Sequence, residues 1–126
     1  MVELRKKAQT FNSNISFDSY FESGNLQYVI FKDNAYNLYI RPDTNTKTHF
    51  QWFYFKVKIK QPTTVTFVIK NFLKSRMLYR EGLRPYHRSI LKKSNTFEQI
   101  PSSVSFEMAD EETHPQFYEL TFVYNF

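Results

Sequence analysis

The aromatic run His49-Phe50-Gln51-Trp52-Phe53-Tyr54-Phe55, continued to Ile59, narrows what this chain can fold into more than any other stretch. In an extended backbone, successive side chains point to opposite faces. Phe50, Trp52 and Tyr54 then share one side, and Phe53, Phe55, Val57 and Ile59 share the other. Bulky rings on both sides predict a strand that starts under cover on both faces. From Lys56 onward the first side carries Lys56, Lys58 and Lys60, so the strand is expected to end with one face in water. Such a strand needs a second layer over its apolar face.

Period-two alternation recurs elsewhere, and helical periodicity does not extend beyond one turn. The predicted strands are Leu26 to Phe31, Tyr36 to Arg41, Phe50 to Ile59, Thr63 to Asn71, Tyr86 to Leu91, Ser103 to Glu107 and Tyr118 to Tyr124, with a short one near Phe97. Turn-rich segments such as Pro42-Asp43-Thr44-Asn45 separate them, and Gln61-Pro62 reads as a hairpin. The pattern predicts an all-β fold, an antiparallel β-sandwich of jelly-roll type with about seven to nine strands. Val65, Phe67 and Ile69 are expected to face inward beside Phe53, Phe55 and Val57. Trp52, Phe53, Phe55 and Phe67 are the expected structural core, since each large apolar side chain fully buried stabilises by about 1.5–3 kcal/mol. A chain of 126 residues is one domain. Residues 1–20 read as an N-terminal arm, expected to be partly disordered, and residues 21–126 as the sandwich.

The chain has no cysteine, which excludes disulfides, thiolate zinc sites and a cysteine nucleophile. No segment approaches the roughly 20 apolar residues of a membrane-spanning helix, and no signal-peptide pattern opens the chain. A soluble, cytoplasmic protein without a membrane partner is expected, and the Asn14-Ile15-Ser16 sequon is read as incidental. The formal net charge is +5. Positive residues concentrate from Lys70 to Lys93, while the stretch from Glu107 to Glu119 holds five acids and no Lys or Arg. If the basic residues converge they attract a polyanion: nucleic acid, anionic lipid or an acidic polypeptide tail. Arg76, Arg80, Arg84, Arg88, Lys92 and Lys93 are the candidates, with arginine favoured where two parallel hydrogen bonds to one carboxylate form. The bland reading of the same residues is a solvated surface.

Catalytic patterns fail when tested. A local zinc motif places Glu three residues after His, and here that place is Trp52 after His49, Ile90 after His87 and Phe117 after His114. Asp110, Glu111 and Glu112 before His114-Pro115 read as a solvated loop. Gly24 and Gly82 are the only glycines, which excludes a glycine-rich phosphate loop. No catalytic residue and no metal ligand is assigned, and the chain alone is not expected to be an enzyme.

Phe21-Glu22-Ser23-Gly24-Asn25-Leu26, then Leu38 with Pro42-Asp43-Thr44-Asn45, then Phe50-Gln51-Trp52-Phe53-Tyr54-Phe55 stand in an order and spacing that resembles the N-terminal domain of the cytosolic metallocarboxypeptidases. Weaker agreements follow at Asn71 with Lys74-Ser75, at Gly82-Leu83-Arg84-Pro85-Tyr86 with Ser89, and at Tyr118 with Leu120, Thr121 and Phe122. Phe97 stands where the family pattern leads one to expect a tryptophan. The resemblance implies a β-sandwich packed before a zinc carboxypeptidase domain, in enzymes that remove glutamates from the acidic tails of tubulin and other proteins. It implies no cofactor in this chain, with zinc belonging to a catalytic domain after residue 126. The expected partners are that peptidase domain and glutamate-rich tails, with nucleic acid disfavoured and a monomer expected. Phe21, Glu22, Ser23, Gly24, Asn25, Pro85 and Tyr86 are the candidates for the surface facing the peptidase domain. The alternative is a free-standing polyanion-binding module, with Tyr79 and Tyr86 stacking and arginines on phosphates.

Overall fold

The structure is a computed structural model that describes residues 2–3, 9–10, 14–21, 23–41, 52–72, 84–90, 96–102, 104–108 and 118–126. Its elements are β1 (Val2–Glu3), β2 (Gln9–Thr10), β3 (Ile15–Asp18), β4 (Leu26–Lys32), β5 (Ala35–Ile40), β6 (Lys56–Ile59), β7 (Thr64–Phe72), β8 (Tyr86–His87), β9 (Glu98–Gln99), β10 (Val104–Met108) and β11 (Tyr118–Asn125). The described residues form an all-β sandwich. One layer is a six-stranded sheet in the order β1-β4-β5-β7-β11-β10, and the other is a three-stranded sheet in the order β2-β3-β6. A small sheet pairs β8 with β9.

Aromatic rings fill the space between the layers. Phe17 of β3 meets Tyr36, Phe55 and Phe67 at ring-centroid distances of 5.3, 6.1 and 6.1 Å. Phe53 stacks on Phe122 at 5.9 Å and tilts against Phe72 at 6.0 Å. On β7, Val65, Phe67 and Ile69 point inward as the alternation predicts, with Phe53, Phe55, Val57 and Ile59 packed against the same core. The first two core residues of β4, Leu26 and Val29, lie three positions apart yet share a face. A bulge between Leu26 and Tyr28 inserts the extra residue that makes this possible.

Four features differ from the sequence expectation. The six-stranded sheet is mixed, because β5 runs parallel to β7 through Tyr36↔Phe67, Asn37↔Val68 and Leu38↔Ile69, while its other pairings are antiparallel. Second, residues 15–18, assigned above to the arm, form β3, and Phe17 is wholly buried. Third, Gln61-Pro62 is a corner and not a hairpin: β6 and β7 lie in different sheets. Asn14 fixes that corner, its Oδ1 accepting from Gln61 N at 2.7 Å and its Nδ2 donating to Gln61 O at 3.3 Å. With both amide atoms committed, the Asn14 sequon is occupied by the fold itself.

The fourth concerns the aromatic run. Among its described residues, 52–59, strand is confined to residues 56–59, and residues 52–55 are irregular. Trp52 is 40% exposed, so it does not belong to the core where the sequence reading put it. The physical reason is parity. Trp52 shares the side of Lys56, Lys58 and Lys60, all exposed, and on that side Tyr54 is half-buried against Phe21 and Phe97. Phe53 and Phe55, on the other side, pack against the core, and Phe67 at 2% exposure lies within it.

Candidate functional site

Gly24 and Asn25 organise the surface around Trp52. Ser23 has φ 68°, in the left-handed region, and Gly24 N donates to Phe21 O at 3.0 Å to close the turn. A Cβ on Gly24 would stand 2.3 Å from the Ser19 carbonyl oxygen, so only glycine fits that approach. Ser19 is buried, and its Oγ accepts from Leu26 N at 2.8 Å. Asn25 then replaces a strand partner. Its backbone N donates to Tyr54 O at 3.0 Å, its Oδ1 accepts from Tyr54 N at 2.7 Å, and its Nδ2 donates to Trp52 O at 2.7 Å. Its carbonyl accepts from Arg41 N at 2.7 Å, and the Arg41 guanidinium donates to Gly24 O. The two most distinctive sequence segments are thereby one structural unit, hydrogen-bonded through a single asparagine.

This unit sits beside the β8–β9 ribbon, which is attached at several points. Ile100 is buried and its N donates to Pro85 O at 2.8 Å. His87 Nδ1 and the Tyr124 hydroxyl hydrogen-bond, and Ser102 Oγ donates to Val123 O at 2.6 Å. Burial raises the Tyr124 phenol above its usual pKa of 10.0. Between unit and ribbon lies an open basin of about 600 Å³ lined by Ser23, Trp52, Phe53, Tyr54, Tyr86 and Phe97. Trp52, Tyr86 and Phe97 are exposed large side chains, and Tyr54 meets Phe97 edge to face at 6.0 Å. Such a cluster of exposed rings is the composition of a docking surface.

The candidate residues divide accordingly. Ser23 and Tyr86 line the basin. Gly24 and Asn25 shape it from behind, and Phe21 packs edge to face on Tyr54 at 5.1 Å. Pro85 is buried at the start of the ribbon. Glu22 lies outside the described residues, as do Arg76, Arg80, Lys92, Lys93 and Tyr79. Arg84 is committed to the fold, its Nη1 donating to Pro101 O at 2.9 Å and its Nη2 to Gln99 Oε1 at 3.4 Å. Arg88 is exposed, with its guanidinium carbon 5.2 Å from the Phe97 ring centroid, and so stands at the basin's rim. Lys70, at the edge of the basic stretch, pairs with Glu119 of the acidic stretch at 2.7 Å, because β7 and β11 are neighbours.

Sequence reasoning missed Trp52 and Phe97 as surface residues and half-buried Tyr54 as a residue lining the basin. The signal was present for two of them, since Trp52 and Tyr54 share their parity with the exposed lysines. Among the described residues no group of His, Asp and Glu is suited to hold a metal ion, and no helix is long and apolar enough to cross a membrane.

Comparison with known proteins shows the family of this chain. The chain is 33% identical to cytosolic carboxypeptidase 3 of Mus musculus, over 99% of the chain and 13% of that protein. It is 42% identical to cytosolic carboxypeptidase 2 of Homo sapiens over 59% of the chain and 8% of that protein. Human cytosolic carboxypeptidase 6 is likewise 42% identical, over 60% of the chain and 16% of that protein. The chain therefore spans a small fraction of the length of these relatives. Residues 17–119 match the family described as "Cytosolic carboxypeptidase N-terminal domain", which includes both segments that Asn25 joins. The chain belongs to the cytosolic carboxypeptidase N-terminal domain family.

Proposed function

We propose that this chain is the non-catalytic N-terminal accessory domain of a cytosolic zinc carboxypeptidase, acting in the cytoplasm. It supports the peptidase domain and helps position acidic substrates such as polyglutamylated tubulin tails. The observation that carries the reading is the aromatic basin in which Trp52, Tyr86 and Phe97 are exposed beside half-buried Tyr54, held in shape by the Ser23–Asn25 turn. Rings that are exposed in the isolated domain gain the free energy of burial when a second domain covers them. The zinc and the residues that bind it belong to the peptidase domain. Arg88, whose side chain stands exposed beside the basin, supports the substrate half of the reading.

The test is made in the two-domain protein. Trp52→Ala and Tyr86→Ala should loosen the docking of the two domains, read as a loss of protection from proteolysis between them. Unchanged protection in both variants would overturn the docking role. Fluorescence anisotropy at low salt tests the substrate role, where equal, undetectable binding of glutamylated and unmodified tail peptides would remove it. Arg88 over Phe97 beside Tyr86 favours a second reading, a polyanion module that takes nucleic acid. Oligonucleotide binding that falls steeply with salt, together with indifference to glutamate peptides, would select that reading.

A further inference from the structure

Among the described residues the three-stranded layer ends in an open edge. β6 is the last strand of its sheet, and among the described residues it pairs only with β3, through Ile15↔Ile59, Ser16↔Lys58, Phe17↔Val57 and Asp18↔Lys56. Which backbone groups face that edge follows from the alternation of antiparallel pairing. Lys60 N donates to Asn14 O, and Tyr54 N and O both bond to Asn25, so the even-numbered residues turn their polar groups toward the β3 side. The N–H and C=O groups of Phe55, Val57 and Ile59 therefore point the other way, along the open edge. The side chains divide oppositely: Phe55, Val57 and Ile59 pack toward the core, while Lys56, Lys58 and Lys60 stand exposed on the outer face.

From this edge we infer that β6 is a strand-addition site for an extended acidic peptide. The peptide's backbone pairs with Phe55, Val57 and Ile59, and its acidic side chains at every second position lie beside Lys56, Lys58 and Lys60. Alternate residues in a strand are about 6.5–7 Å apart, so the lysines and every second residue of an added strand share one repeat. Edge lysines ordinarily guard against pairing of like edges, because a second copy of β6 would set lysine against lysine. The same row turns from guard to selector when the incoming strand is acidic, since opposite charges on neighbouring strands attract. Backbone hydrogen bonds supply the pairing and the lysines supply the choice of partner. Lys56 is partly oriented already, its Nζ lying 4.8 Å from the Phe21 ring centroid, and its opposite neighbour Asp18 uses Oδ1 to accept from Tyr20 N. Lys58 and Lys60 therefore carry most of the selection. The inference deepens the acidic-substrate half of the proposed function and rests on it, while leaving domain docking aside.

The probe is a short peptide of alternating glutamate and threonine, added to the whole 126-residue chain at low salt and followed by amide NMR. Signals of Phe55, Val57 and Ile59 should shift and become protected from exchange. Lys56→Glu/Lys58→Glu/Lys60→Glu should weaken binding about tenfold and confer binding of the alternating lysine-threonine peptide. The glutamate peptide N-methylated throughout keeps its charges but loses its donors, and it should not bind. If the triple variant does not fold by circular dichroism, Lys58→Glu and the N-methylated peptide decide the matter. Equal binding of the methylated peptide, or shifts confined to Trp52, Arg88 and Phe97, would overturn strand addition while leaving an acidic partner in place. Absence of binding to either peptide would overturn both this inference and the substrate half of the proposed function, without touching the docking half.

Discussion

Asn71 grips Ile40 at two points: its Oδ1 accepts from Ile40 N at 2.9 Å, and its Nδ2 donates to Ile40 O at 2.9 Å. The parallel ladder between β5 and β7 pairs Leu38 with Ile69, and two residues on, this side-chain amide takes the place of a backbone. Asn71 is buried, so water does not replace it. Asn71→Ala leaves a buried N–H and C=O without partners and should destabilise by about 2–4 kcal/mol in urea unfolding. Asn71→Asp keeps the acceptor but sets a carboxylate against the Ile40 carbonyl, and should be no better. A loss below about 1 kcal/mol for the alanine variant would mean that the seam does not depend on this amide.

Gly24→Ala places a methyl group 2.3 Å from the Ser19 carbonyl oxygen, which is backbone and moves only with the chain. The expected cost is about 1–3 kcal/mol. Because the shift also disturbs the Ser19 acceptor for Leu26 N, hydrogen exchange at Leu26 and Tyr54 should quicken more than at Ile69 of β7. Uniform acceleration across all three amides would show that the turn is not a local unit.

Trp52→Ala and Phe67→Ala separate surface from core. Phe67 touches Phe17, Phe55 and Phe122, and its truncation should cost about 3–5 kcal/mol. Trp52 is 40% exposed, and its truncation should cost no more than about 1 kcal/mol in the isolated chain. Equal losses would return Trp52 to the core.

Two tyrosines contribute to the loss of stability at alkaline pH. Tyr28 has its phenol raised above 10.0 by burial and by the neighbouring Tyr39, whose ring stacks on it at 4.6 Å, and Tyr124 is raised by burial. A raised phenol pKa means that the folded state holds the proton more tightly than the unfolded state. Their contribution is therefore complete below pH 10.0 and is lost as pH rises through the folded-state values. Urea midpoints measured from about pH 8 to about pH 12 should fall in the upper part of that range, and Tyr28→Phe/Tyr124→Phe should flatten the fall. An identical slope in the double variant would remove these two phenols from the account.

Much of the strand pattern is legible because period-two burial is written in residue order. Val65, Phe67 and Ile69 alternate with more exposed neighbours, and the structure buries all three. Strand direction is not written in that order, so the parallel seam between Tyr36 and Phe67 gives no local signal. Ile15 and Phe17 carry the same alternation, but over only four residues of strand, too short to separate from an arm. The candidate site was half legible. Ser23 and Tyr86 came from motif order, whereas the work of Asn14, Asn25 and Asn71 is invisible because an amide side chain that imitates backbone looks like any other polar residue. The parity of Trp52 and Tyr54 with Lys56 was readable, and the pull of bulky rings toward a core reading outweighed it.

The position of β11 has a consequence for how the chain is made. This strand, the last of the described ones in chain order, lies between β7 and β10, inside the large sheet and not at its margin. During synthesis β7 leaves the ribosome long before Tyr118 to Asn125 can reach it, and for that interval its β11-facing backbone groups have no ladder. A strand reading Thr-Val-Thr-Phe-Val-Ile with one open edge is a template for wrong partners. The closing of the large sheet thus waits for Tyr118 to Asn125, and β7 is most exposed to wrong pairing just before they arrive.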